Sequence, residues 1–184
     1  MTTTIPTASV APSLRKLYFV RFGFAVVWAV VIFAVGSSLS PVAATLLVLY
    51  PLFDVAAAIV DLRATRTSGS STALLYVNTA LSLAAAVGLA IAATSGTPAV
   101  LTVWGAWSVT TGVVQLLVGI RRRALGGQWI MIISGVLSVL VGGAFIAMAS
   151  GAPASVSSLG GYATLGGIFF LISALRLGRI VKGL

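Results

Sequence analysis

The chain has 184 residues, 59% of them hydrophobic and 7% charged, with 11 Lys and Arg against 2 Asp, a net charge of +9 and no Cys or His. A soluble domain carries about a quarter charged residues, so this composition, with a mean hydropathy of +1.16, excludes a soluble enzyme, a disordered chain and a nucleic-acid-binding domain. It also excludes disulfides, thiol catalysis and the commonest metal ligand and general base.

Residues 1–16 begin with MTTTIPTASVAPS and read as a disordered cytoplasmic tail. The first apolar block, 17–36, follows Arg15 and Lys16 and contains Arg21. Ala34-Val35-Gly36 loosely resembles a signal-cleavage site, but the apolar run is longer than a signal core. Further blocks cover about 42–61, 72–94, 98–120, 128–149 and 157–177. Runs such as AVVWAVVIFAV do not alternate as barrel strands would, so each block is predicted to be a membrane-spanning helix. The turns GSSLSP, TSGTP and SGAPASVSS are small, polar and uncharged. The other connections are basic, through Arg63 and Arg66, then Arg121, Arg122 and Arg123; the end of the chain adds Arg176, Arg179 and Lys182. Six spans therefore put every basic residue on one side, predicted to be cytoplasmic, with both termini inside. The expected fold is an all-α integral membrane domain over 17–184 in a cell inner membrane.

The chain also repeats itself. Pro41, Pro98 and Pro153 align at offsets of 57 and 55 residues, and so do Ser38, Ser95 and Ser150. The same offsets align Tyr50, Trp107 and Tyr162, and Val55, Gly112 and Gly167. Three helical hairpins in one orientation are predicted, at about 17–63, 72–121 and 128–177.

Asp54 is the sharpest candidate for function. It lies about seven residues from the cytoplasmic end of the second span, about 10 Å deep, where a carboxylate is costly and often functional. It either binds a proton or cation or pairs with Arg21, which sits at similar depth on the neighbouring helix. By the repeat, Arg21 corresponds to Asn78 and Ile133, and Asp54 to Thr111 and Gly166. The two positions change together from charged to polar to apolar, as contacting positions would. Pro51, one turn before Asp54, is expected to bend the second helix. Asp61, beside Arg63, reads as half of an exposed salt bridge. Asn78, Thr111 and Gln115 either line a polar path or make interhelical hydrogen bonds. Ser134, Ser138 and Gly142, together with Ala80-Ala84 and Ser108-Gly112, have the four-residue spacing of close helix packing, within the chain or between copies. Trp28, Trp104, Trp107 and Trp129 read as interface anchors or packing aromatics. The Arg121–Arg123 run sets topology and suits anionic lipid headgroups. No catalytic constellation, metal site or cofactor site emerges.

The stretch WGAWSVTTGVVQLLVGIRRRALGGQWIMIISGVLSVLVGGAFIAMASGAP (104–153) resembles the HdeD-type acid-resistance membrane proteins. The shared features are an aromatic-rich start, the Thr111-Gly112 step, Gln115, Arg at the helix exit, Trp129 and Ser134-Gly135. Gly160-Gly161-Tyr162, Gly166-Gly167 and Ala174-Leu175-Arg176 continue the pattern, and the first hairpin joins it through Tyr50, Asp54 and Arg63. Family members often carry Asp-Gly where this chain has Asp54-Val55. The resemblance implies a small non-enzymatic six-span inner-membrane protein built from a duplicated unit, with a part in acid or envelope stress tolerance. Its partners would be the anionic bilayer surface and further copies of itself, with no nucleic acid. A small proton or solute channel or transporter using Asp54 is the rival expectation.

Overall fold

The computed structural model describes residues 7–66, 72–121, 123, 128–151 and 155–181, with side chains between 12 and 178. Six helices fill it: α1 (Thr7–Val35), α2 (Pro41–Arg66), α3 (Ala73–Ala92), α4 (Thr97–Arg121), α5 (Trp129–Ala149) and α6 (Ser158–Val181). All six are long and apolar enough to cross a membrane. Val27 at 65% exposure, Ile91 at 64% and Leu140 at 63% show how apolar the outward faces are. Water would not tolerate that surface, and lipid does. The chain is a multi-pass membrane protein.

Two boundaries differ from the sequence pattern. α1 starts at Thr7, so residues 7–16 are helical where a disordered tail was expected; residues 1–6 lie outside the described residues. Leu14, Arg15 and Lys16 are good helix formers, and Pro12 falls early enough to remove a single backbone bond. α2 runs on to Arg66, past its apolar block. Arg63 and Arg66 occupy its last turn, where cations oppose the negative end of the helix dipole.

The turns follow local chemistry. Ser40 caps α2 by accepting the Ala43 N–H at 3.2 Å, and Pro41 takes the first helical position. Between α3 and α4, Gly96 adopts φ +98°, the left-handed conformation. A Cβ there would meet only Pro98 Cδ at 3.9 Å, so the space is open and the backbone alone selects glycine. Gly96→Ala is expected to lower unfolding stability by about 1–2 kcal/mol, read as a melting shift in detergent without loss of fold. Of the third turn, residues 152–154, with Pro153, lie outside the described residues.

Each helix packs on its neighbours in sequence, and α1 closes on α6, so the six helices form a ring. Its closest seams join α4 to α5 and α6 to α1. On α4, Gly105, Gly112 and Gly119 recur every seven residues; on α5, Gly135 and Gly142 do the same. That period keeps one face turned toward a partner along two left-handedly crossing helices. A Cβ at Gly142 would lie 2.7 Å from the Gly105 carbonyl oxygen, and one at Gly112 would lie 2.9 Å from that of Gly135. The backbones therefore touch. α6 brings Gly160 against Ile32 and Phe33 and Gly167 against Ala25 of α1.

The centre of the ring is filled. Trp28 and Trp104 stack at 5.4 Å, and Tyr50 lies 4.8 Å from Trp28, 5.4 Å from Trp104 and 6.0 Å from Trp107. Tyr162 meets Trp104 at 6.5 Å and Phe145 at 6.0 Å. Trp28, Trp104 and Trp107 are thus core residues, whereas Trp129 is 53% exposed. The small pair Ala80 and Ala84 faces outward, away from the intrachain seams.

Candidate functional site

One stripe of α2, at Leu47, Pro51, Asp54, Ala58, Asp61 and Thr65, is buried. The stripe puts Asp54 in the interior with 8% exposure. Pro51 interrupts the backbone ladder on this face. Beside the interruption, the Trp28 indole N–H donates to the Leu46 carbonyl at 2.7 Å and ties α1 to α2.

The Asp54 carboxylate collects donors from two neighbouring helices. Arg21 of α1 donates from Nη2 to Oδ1, forming an ion pair. Asn78 Nδ2 and Ser82 Oγ of α3 both donate to Oδ2 at 2.8 Å. Asn78 and Ser82 are one turn apart, so a single face of α3 presents both. Trp107 of α4 donates from Nε1 to Ser82 Oγ at 3.1 Å. The Arg21 guanidinium also lies over the Phe170 ring of α6, 4.4 Å from its centroid. Five helices therefore meet through one acid. An isolated carboxylate in a low-dielectric interior is strongly destabilising, and a paired one with its remaining lone pairs satisfied is tolerated.

Of the two alternatives the sequence left open for Asp54, the structure has the pairing with Arg21; Asn78 makes an interhelical hydrogen bond to the same acid, and Ser82 and Trp107 join them. Thr111 and Gln115 do not join them. Thr111 donates to the Trp107 carbonyl of its own helix at 2.7 Å, and Gln115 donates across to the Met131 carbonyl of α5 at 3.3 Å. The bonds of Thr111 and Gln115 thus run apart from the Asp54 cluster. Asp61 is buried rather than exposed and accepts a bond from Thr65 Oγ1 at 3.0 Å. Two of the best-formed cavities among the described residues are lined by neither Asp54 nor Arg21. One is an open apolar groove of about 330 Å³ between α2 and α3, lined by Ala44, Thr45, Val48, Leu49, Ala90 and Ala93. The other is a narrow void between α5 and α6.

The basic residues gather where α1, α3 and α5 begin and α2, α4 and α6 end. Arg63, Arg121 and Arg123 are exposed. Arg66 lies over Tyr76 at 5.4 Å, and Arg176 over Trp129 at 4.9 Å. Arg179 lies on α6 with its side chain undescribed, and Arg122 lies outside the described residues. Among the described residues, no group of three His, Cys, Asp or Glu side chains could hold a metal ion. No protein-family model, curated protein or solved structure matches the chain.

Proposed function

We propose that this is a non-enzymatic plasma-membrane protein of the HdeD type, contributing to acid or envelope stress tolerance as a rigid, non-conducting six-helix ring. The observation that carries this reading is the interior itself. Aromatic side chains fill the centre, and the intramembrane acid is held by Arg21, Asn78 and Ser82. A coupling group for transport needs to exchange its proton or cation with water. Asp54 is instead engaged on both oxygens.

In this reading the three hairpins are copies in one orientation. Gly105 and Gly112 of α4 lie 55 residues before Gly160 and Gly167 of α6, and both sets pack on the next helix around the ring. At the equivalent α2 positions stand Val48 and Val55, and there the polar bonds from Asp54 to α3 take over the joining role. The basic end faces the cytoplasm by the positive-inside rule. Outward small residues such as Ala80, Ala84, Gly143 and Gly161 suit contact between copies.

The test is flux in proteoliposomes combined with acid survival of cells. Vesicles holding the full chain are expected to leak protons no faster than empty ones, while cells lacking the protein survive acid challenge less well than complemented cells. A proton or solute flux that Asp54→Asn abolishes, with the fold intact, would replace this reading with a transporter.

A further inference from the structure

The narrow void between α5 and α6 has a volume of about 10 Å³, the room of one water molecule. Three residues with hydroxyls border it: Ser134 and Ser138, one turn apart on α5, and Tyr162 of α6. Leu137, Leu165 and Phe169 supply apolar walls. Tyr162 donates to Ser138 Oγ at 3.2 Å, which leaves the Ser138 proton and the Tyr162 lone pairs open to a further partner. Ser134 makes no hydrogen bond among the described residues. Both serines are half-buried, and both line the void.

The matching pair on α3 shows what such hydroxyls bind. Asn78 and Ser82 stand 56 residues before Ser134 and Ser138. On α5 this register displaces the one that aligned Asn78 with Ile133, because Ile133 is 40% exposed and Ser134 lines the void. Ser82 accepts from Trp107 as Ser138 accepts from Tyr162, and Trp107 and Tyr162 are themselves aligned in the repeat. Asn78 and Ser82 then both donate to Asp54. Beside α5 the place of Asp54 falls to Thr111, whose hydroxyl donates to the Trp107 carbonyl of its own helix. Ser134 and Ser138 therefore border a void where the α3 pair meets a carboxylate. An interior hydroxyl without a partner is destabilising, and three hydroxyls are within the number that a buried water bonds. The void is too small for a larger molecule, and no charged side chain lines it to hold an ion.

We propose that this void is a binding site for one structural water, which stands where the α3 pair has its carboxylate. The water accepts from Ser134 and Ser138 and donates to the Tyr162 oxygen, so α5 and α6 are joined through it. The site rests on its own lining and is independent of the stress role proposed above.

Crystals of the full chain grown from a lipid phase, diffracting finely enough to show ordered waters, test this. The wild type is expected to show one isolated peak within hydrogen-bond distance of Ser134 Oγ, Ser138 Oγ and Tyr162 Oη. The double variant Ser134→Ala/Ser138→Ala loses the peak. Tyr162→Phe keeps the ring contacts with Trp104 and Phe145 and removes one partner. It lowers the occupancy of the peak, which keeps the test decisive if the double variant fails to fold. An empty void in the wild type, tubular density entering from the lipid face, or a peak unchanged in the double variant or in Tyr162→Phe would each overturn the site.

Discussion

Gly142→Leu is expected to cost roughly 3 kcal/mol or more and to leave a chain that loses its fold in mild detergent. Gly143→Leu, one residue away, is expected to stay within about 0.5 kcal/mol of wild type. A Cβ at Gly142 meets the Gly105 carbonyl oxygen at 2.7 Å, Ser108 Cβ at 2.9 Å and Val109 Cγ2 at 2.9 Å, while at Gly143 nothing lies within 4 Å. Two of the three obstacles are backbone or Cβ atoms, which no rotamer change can move aside. In lipid the contrast is sharper than in water. Helices gain no hydrophobic drive from meeting one another, so close packing itself holds them together. A leucine that separates α4 from α5 removes that attraction along the seam. Melting followed by circular dichroism, with gel filtration in detergent, reads both variants. Equal tolerance at the two positions would show that α4 and α5 do not meet backbone to backbone.

Asp54→Ala carries the second large effect, an expected loss of about 3–5 kcal/mol. The substitution strands the Arg21 guanidinium, whose side chain is 19% exposed, and takes the acceptor from Asn78 and Ser82 at once. The Arg21→Met/Asp54→Leu double variant is expected to recover most of that loss, because an apolar pair of similar volume avoids burying either charge. A double-mutant cycle over Arg21 and Asp54 should return a coupling of about 1–3 kcal/mol. Independent, additive losses would separate the two residues and return Asp54 to the list of transport candidates.

The pair at the centre of that cycle was legible in the sequence because depth in a membrane can be counted. Arg21 lies a few residues into one apolar block, Asp54 a matching distance from the end of the next, and a short turn makes the helices antiparallel. Ser82 and Trp107 were not legible. Which face of α3 or α4 turns inward depends on how the ring closes, and a serine in an apolar helix reads the same on either face. The spacing of Asn78 and Ser82, one turn apart, was the available signal. The seven-residue glycine ladder was obscured by composition, since 20 glycines in an apolar chain produce many small-residue spacings. Only the contact between α4 and α5 distinguishes Gly105, Gly112 and Gly119 from the rest. Trp28, Trp104 and Trp107 were ambiguous for a physical reason: an indole suits a headgroup layer and a packed interior equally well. Thr111 and Gln115 were open between lining a path and bonding between helices, because a hydroxyl or amide in a helix can serve either end; Gln115 bonds across to Met131 and Thr111 bonds within its own helix.

The contact between α1 and α6 has a consequence for biogenesis. Helices leave the ribosome in order, so α1 enters the bilayer first and its permanent neighbour arrives last. Arg21 is neutralised as soon as α2 is inserted, but the flank of α1 around Ala25, Ile32 and Phe33 waits through five further insertions for Gly160 and Gly167. Until then a nascent chain holds an open flank that the α6 of another copy fits equally well. Truncation before α6 is therefore expected to leave that flank of α1 uncovered and the shortened chain prone to association, read as aggregation in detergent.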